Sequence, residues 1–223
     1  MEQEWNHVLF LHWQIDPALL QPHLPFELDL FEGKAVISIV PFQMNRIRFF
    51  MTPTIPFFSS LWELNLRTYV RVNSVPGVYF FTLDTDSKLG SFIANRFFHL
   101  PYRVAQMRAS VVNREFLFES KRAELSLNLK THLSGKPKTK TSLDHWATER
   151  EHLFTHFKDR VFQGTVIHDE WPLQEVDSLT LDDRFSTQLP IKLSSLPDEV
   201  AYCPHLKVRF RPFQRVTMNR QKE

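Results

Sequence analysis

The chain reads as a mainly β domain, a β-rich α+β fold with a few short helices, and three observations carry that reading. From residue 61 to residue 70, apolar and polar side chains alternate strictly, which is the period of a strand with two different faces. Residues 35–40 and 78–83 are short runs that are apolar on both faces, as in strands covered on both sides. The 14 prolines are spread along the chain and punctuate many short elements. With 223 residues, 43% of them hydrophobic, a packed core needs no covalent staples. No repeat, low-complexity tract or linker-like composition shift divides the sequence, so residues 1–223 are expected to form one domain.

The elements follow in order. Residues 8–14 read as a strand. Asp16 caps a short helix that Pro17 opens and Ala18, Leu19 and Leu20 continue, ending near residues 22–25. Residues 33–44 form a strand around the first doubly apolar run. Residues 52–58 are a proline-broken apolar loop. Residues 61–72 are the alternating strand. Val75, Pro76 and Gly77 make a turn into the second doubly apolar strand. A turn at residues 84–87 leads into a helix through Phe98, which Leu100-Pro101 breaks. Residues 102–118 and 123–132 read as two strands, and residues 133–141 as a basic, polar loop. Residues 142–148 form a short helix capped by Ser142. Residues 151–157 and 161–167 make a hairpin around Lys158-Asp159. Residues 172–197 are poorly periodic and read as long loops. Residues 206–213 alternate Lys207, Arg209 and Arg211 against Leu206, Val208 and Phe210, which suits a terminal edge strand.

The bulk numbers exclude several functions. Net charge is +2, from 27 basic and 25 acidic residues, too balanced for nucleic acid or a membrane surface as the main partner. The 5 glycines build neither a G-x-G-x-x-G nor a Walker-type loop, and no G-x-S-x-G element is present. Cys203 is the only cysteine, which excludes an internal disulfide and a cysteine-based zinc site. A reducing, cytoplasmic location is the expectation. Residues 1–5 lack a basic n-region and an apolar h-region, and no stretch approaches the ~20 apolar residues of a spanning helix. His152 and His156 have the spacing of metal ligands on a helix, but their stretch reads as a strand and lacks a third ligand. Asp84 and Asp86 read as a helix-entry turn. Neither a metal nor a cofactor is expected. The strip Lys207, Arg209, Arg211, Arg215 and Arg220 reads as a solvated edge, because stacking aromatics are few beside it.

Several segments, taken together, resemble one family. They are Phe10-Leu11-His12-Trp13 with Asp16-Pro17, Leu24-Pro25, Pro41-Phe42, the alternating stretch from Glu63 to Val70, and the stretch from Gly77 to Asp84. Leu100-Pro101-Tyr102 with Ala105, and His168 with Trp171-Pro172-Leu173, complete the set. The set is similar to the YqjF-like, or DUF2071, family of uncharacterised bacterial proteins, which in turn resembles acetoacetate decarboxylase as a distant relative. The resemblance implies a closed or partly closed antiparallel β-barrel with a few peripheral helices. It does not imply the decarboxylase's chemistry. There, a reactive lysine beside a second lysine follows a Gly-Arg-Glu segment and a Tyr-Pro pair. Here the matching stretch, residues 95–104, keeps Arg96 and a proline–aromatic pair but has no lysine. Arg103 cannot take over, because a guanidinium stays protonated and a Schiff base needs a neutral amine. The resemblance also sets Glu63 near a pocket glutamate of the decarboxylase.

The candidate site grows from the polar face of the alternating strand, Glu63, Asn65, Arg67 and Tyr69. That face is either a wet surface with a cross-strand ion pair or the wall of a pocket. In the pocket reading Arg67 grips an anion and Glu63 is the acid–base group. Arg96 follows Phe92 by four residues and Ile93 by three, which puts it on the helix's apolar stripe. A buried guanidinium there would need Glu63 or Asp84 as partner, either pinning the helix to the sheet or rimming a pocket. His99, Tyr102 and Arg103 come next. Tyr102 is a candidate donor to a developing oxyanion, and His99 is either a proton shuttle or a helix cap. His12 and Trp13 are expected to face into the barrel and shape an apolar cavity. Together these residues point to a cavity for a small organic acid or carbonyl compound. The sequence leaves open whether there is a reaction at all. A non-catalytic ligand binder or an interaction scaffold is the alternative, and a homo-oligomer is compatible with either.

Overall fold

The computed structural model describes residues 1–48 and 60–218. The expected loop at residues 52–58 lies outside them. The strands are β1 (Glu2–Ile15), β2 (Glu27–Leu28), β3 (Ala35–Arg48), β4 (Ser60–Val72), β5 (Val75–Thr85), β6 (Tyr102–Val104), β7 (Gln106–Val112), β8 (Glu115–Arg122), β9 (Leu125–Pro137), β10 (His152–Phe157), β11 (Arg160–His168), β12 (Gln174–Asp183) and β13 (Glu199–Val216). Three short helices join them: α1 (Pro17–Leu20), α2 (Lys88–Phe98) and α3 (Ser142–Thr148).

The two ends of the chain meet in one ladder. β1 runs antiparallel to β13, from Glu2 opposite Arg209 to His12 opposite Glu199. β1, β3, β4, β5, β10, β11 and β13 pair in that order, and β13 returns to β1. Seven strands therefore close a barrel and leave no free edge among them. All seams are antiparallel except the short one between β5 and β10, where Val78 pairs with Leu153 and Tyr79 with Phe154. From β13 the sheet continues outward through β12, β9 and β8 to β7. This extension folds back over the barrel. Phe116, Phe118, Leu127 and Leu129 pack with Leu9, Leu11, Ile37, Ile39, Leu64 and Leu66 on the outer side of β1, β3 and β4. The inner side of the same strands supplies Val8, Phe10, Val36, Val40 and Phe42 to the barrel interior. Two covered faces explain the doubly apolar run in β3.

Several boundaries differ from the sequence reading. The turn before β5 is Asn73-Ser74, at φ 50° and 67°, and not residues 75–77. A two-residue hairpin turn with both central residues at positive φ matches the twist of its strands. Asn113 and Arg114, at φ 51° and 64°, likewise split the expected strand 102–118. α3 is capped by Thr141 and not by Ser142. The Thr141 hydroxyl accepts from Asp144 N, and the Asp144 carboxylate accepts from Thr141 N, a reciprocal cap. β9 extends through most of the expected basic loop. β12 occupies a stretch read as loops; its Val176, Leu179 and Leu181 pack on the outer core, diluted in sequence by Asp and Ser. β13 is not an edge strand. It pairs with β1, β11 and β12; its alternating Lys207 and Arg209 are exposed, and Arg211, also exposed, borders the barrel cavity.

Candidate functional site

The barrel holds a cavity of about 380 Å³ that is partly open to solvent, within the range of small-molecule pockets. Its wall is mostly apolar, with Phe10, Phe42, Phe80, Leu83 and Leu100 among the lining residues. The pleat of β4 places Glu63, Asn65 and Arg67 on that wall, while Leu64 and Leu66 face the outer core. The polar row of the alternating strand is therefore turned inward.

Glu63 marks one end of the row. It is 3% exposed, and the half-buried Tyr102 donates its hydroxyl to Glu63 Oε2 at 2.6 Å. Helix α2 sets that phenol in place: Asn95 accepts from Tyr102 N at 2.9 Å and donates to Tyr102 O at 3.0 Å. Burial pushes the Glu63 carboxyl up to about 8, against the pull of hydrogen bonds from Tyr102 and Asn65. The same burial, with the Glu63 charge beside it, raises the Tyr102 phenol well above its usual value. Near neutral pH this end of the cavity presents an uncharged acid, able to donate a proton or a hydrogen bond.

Arg67 marks the other end. Its Nη2 lies 3.5 Å from Tyr69 OH, and its guanidinium sits over the rings of Phe10 and Tyr69, 5.6 and 5.7 Å from their centres. Among the described residues no carboxylate pairs with it, and its Nε is buried without a hydrogen-bond partner. A second guanidinium, Arg150, lies 5.5 Å from the same Tyr69 ring centre and 4.1 Å from that of Trp146. Asp29, 2% exposed, orients it through a 2.7 Å bond to Nη1 and also holds Arg71. Arg150 Nη2 and Trp171 Nε1 are likewise buried without partners, and the Trp171 ring meets Phe10 edge-on at 4.9 Å. Three unpartnered N–H donors thus line the cavity, Arg67 against both Phe10 and Tyr69, Arg150 against Tyr69 and Trp171 against Phe10. His168 Nδ1 bonds the Asp169 carbonyl at 2.8 Å, so a neutral His168 offers Nε2 as an acceptor beside them.

The remaining expected residues divide. Tyr69 and His12 are fully buried beneath the arginine end. Arg67 donates to Tyr69, and Ser38 Oγ lies 2.9 Å from Tyr69 OH and 2.7 Å from His12 Nδ1. A chain of donation from Arg67 through Tyr69 and Ser38 to His12 satisfies all three acceptors. Burial, with Arg67 and Lys138 nearby, lowers His12 to about 3, so it is neutral. Trp13 does not face inward: it belongs to the outer core and donates to Ser194 O at 3.1 Å. Adjacent strand residues point to opposite faces, so His12 and Trp13 cannot both enter the barrel. Arg96 and Arg103 are exposed and do not line the cavity. Arg122, and not Arg96, grips Asp84 in a bidentate pair at 2.6 and 3.1 Å. His99 is the left-handed C-cap of α2 and stacks on Phe157 at 4.4 Å.

Sequence reasoning missed Arg150 and Trp171. Trp171 stood among the family-like residues without a role; Arg150 follows α3 with no local signal. Metal-like groupings do not hold up as sites. His156 is exposed and stacks on Tyr79. His145, Glu149 and Glu170 converge, but the Lys140 ammonium already bonds both carboxylates at 2.6 and 2.9 Å. Burial pushes the Cys203 thiol up to about 12, which disqualifies it as a nucleophile. Among the described residues no lysine lines the cavity, and no helix is long and apolar enough to cross a membrane.

The fold is shared with known structures. Acetoacetate decarboxylase from Legionella pneumophila superposes with a TM-score of 0.68 at 13% identity, covering 97% of this chain and 87% of that one. An acetoacetate decarboxylase-like enzyme from Sphingomonas wittichii gives 0.66 at 12% identity over 98% and 93%. The enduracididine biosynthesis enzyme MppR, complexed with pyruvate, gives 0.67 at 11% identity over 97% and 90%. At such identities the likeness shows the barrel alone. In sequence, the uncharacterized protein YqjF of Bacillus subtilis is 38% identical over 201 residues, 85% of this chain and 83% of its own length. The family model DUF2071, an uncharacterized conserved protein, matches residues 2–207. The chain belongs to the DUF2071 family, built on an acetoacetate decarboxylase-like barrel.

Proposed function

We propose that the barrel interior binds a small organic acid, with Arg67 and Arg150 holding the carboxylate and Glu63 with Tyr102 forming the acid–base pair at the opposite end. One observation carries this reading. Arg67 is a cavity-facing guanidinium with no carboxylate partner among the described residues and a buried, unpartnered Nε. Arg67 is half-buried, a cation partly withdrawn from water without an anion is costly, and an anionic ligand would complete it with charge-assisted hydrogen bonds. The pyruvate bound by the structural neighbour MppR is a carboxylate of the same kind. A neutral Glu63 adds no repulsion to an incoming anion.

If the protein catalyses a reaction, Glu63 is the proton-transfer group. Its acid form would donate to a carbonyl or leaving oxygen, and Tyr102 would hold the resulting carboxylate. A Schiff-base route lacks its amine, since no lysine of the described residues lines the cavity. That same lack favours the second reading, a binder without turnover. The lone, buried Cys203 supports a reducing, cytoplasmic setting for either.

A thermal-shift panel of small carboxylates tests the binding claim. At least one acid should raise the melting temperature of the wild type and fail to raise that of folded Arg67→Met. A panel without a hit, or hits indifferent to Arg67→Met, would remove the claim. Once a ligand is known, Glu63→Gln separates the two readings: turnover lost with binding kept marks an enzyme.

A further inference from the structure

The two polar ends of the cavity are far apart, and that separation constrains what can bridge them. Glu63 and Arg67 are four residues apart on one strand face, roughly 13 Å between Cα atoms at a rise of about 3.3 Å per residue. Between them the wall offers Asn65, whose Oδ1 is buried without a partner, and otherwise apolar side chains such as Val40, Phe42 and Phe80. Allowing roughly 3 Å at each end for a hydrogen bond leaves about 7 Å of ligand. An extended chain covers three bonds in about 3.5 Å, so this is the span of a chain of about six carbons.

The two ends also differ in kind. At the Arg67 end three N–H donors from Arg67, Arg150 and Trp171 are unpartnered, which fits a carboxylate. At the Glu63 end the side chains bonded to the carboxyl are Tyr102 and Asn65, and none is a cation. A second carboxylate there would lose its water with no cation among the side chains bonded to Glu63 to pair with it. A carbonyl or hydroxyl would instead find both a donor and an acceptor.

Resting on the reading that the carboxylate sits against Arg67, we infer that the ligand is an elongated, two-ended acid: a chain of about six carbons in all, or one aromatic ring, with a single carboxylate at one end and a neutral oxygen function at the other. Very short acids leave the apolar middle of the cavity unfilled. Dicarboxylates place a second charge beside Glu63, whose bonded side chains, Tyr102 and Asn65, carry no counter-charge.

Calorimetric titration of the full chain at pH 7 decides this, using acetate, butanoate, hexanoate, ω-hydroxyhexanoate, ω-aminohexanoate and adipate as probes. Affinity should rise about two hundredfold from acetate to hexanoate, as four methylenes are buried. The ω-hydroxy acid should bind several-fold tighter than hexanoate in the wild type, and this advantage should vanish in Glu63→Leu while hexanoate binding persists. Adipate should bind at least tenfold more weakly than the ω-hydroxy acid. Acetate binding as tightly as hexanoate would overturn the inference and leave the anion site standing. So would adipate or the ω-amino acid as the tightest ligand. Loss of every carboxylate, or equal binding in Arg67→Met, would overturn the anion site itself.

Discussion

Glu63 shows how one carboxyl group's surroundings set its chemistry. In water it would be ionised at neutral pH; buried beside Tyr102, it holds its proton to about pH 8. The sign of its effect on stability follows. The unfolded chain releases this proton near the ordinary glutamate value, while the folded chain keeps it until about 8. Between these values the unfolded state binds fewer protons, so stability falls as pH rises. The loss is on the order of 5 kcal/mol across the window at about 1.4 kcal/mol per unit. Urea unfolding at a series of pH values should therefore show wild type declining relative to Glu63→Gln from about pH 4.5 to 8, with the variant the more stable above pH 8. A constant difference between the two would show that Glu63 is ionised in the fold. At this scale the sequence was partly legible. The strand alternation singled out Glu63, Asn65 and Arg67, and their burial is a matter of two-fold pleating. Arg96 was misplaced for an equally local reason. Phe92 and Arg96 do share a helix face, but Phe92 is 65% exposed, and α2 turns Ile93 and Ala94 to the cavity. Apolar residues on both sides of a helix leave its phase undetermined.

Among the elements, the seam between β5 and β10 is the barrel's narrowest ladder, and Gly77 makes it feasible. A Cβ at residue 77 would stand 2.6 Å from the Phe154 ring and 2.9 Å from His152 O. Backbone on one side leaves no room to yield. Gly77→Ala should cost about 2 kcal/mol or more through overpacking, read as a lower urea midpoint. It should also speed amide exchange in β10 more than in β3 or β4, since the damage is confined to one seam. An unchanged midpoint would mean that β10 can move away without loss. The sequence disclosed β4 through its alternation, β5 through its doubly apolar run and β10 as one arm of a hairpin. It hid β12, where only alternate residues touch the outer core, and it hid the continuity of β13 past Pro204. Hairpin turns at Asn73-Ser74 and Asn113-Arg114 lack the glycine that would have announced them.

For the whole molecule, the decisive feature is a barrel with a folded-back outer sheet. It explains why β3 is apolar on both faces and why a polar row on β4 can be buried. Neither closure nor the return of β9 and β8 over β1, β3 and β4 is encoded locally: closure depends on pairings between residues near opposite ends of the chain, such as Phe10 with Ala201, and the return on packing of Phe116 and Phe118 with Leu9 and Leu11. Arg150 joins Arg67 only through this long-range geometry, with Asp29 from a third segment holding it. The central claim is that the barrel interior is a two-ended ligand site rather than a packed core. A crystal structure of the protein soaked with an ω-bromoalkanoate of about six carbons tests it directly, because anomalous scattering marks the bromine. The account places the carboxylate against Arg67 Nε and Trp171 Nε1 and the bromine near Glu63 and Tyr102. A bromine peak outside the barrel, a reversed ligand, or an interior filled by side chains with no ligand density would contradict it.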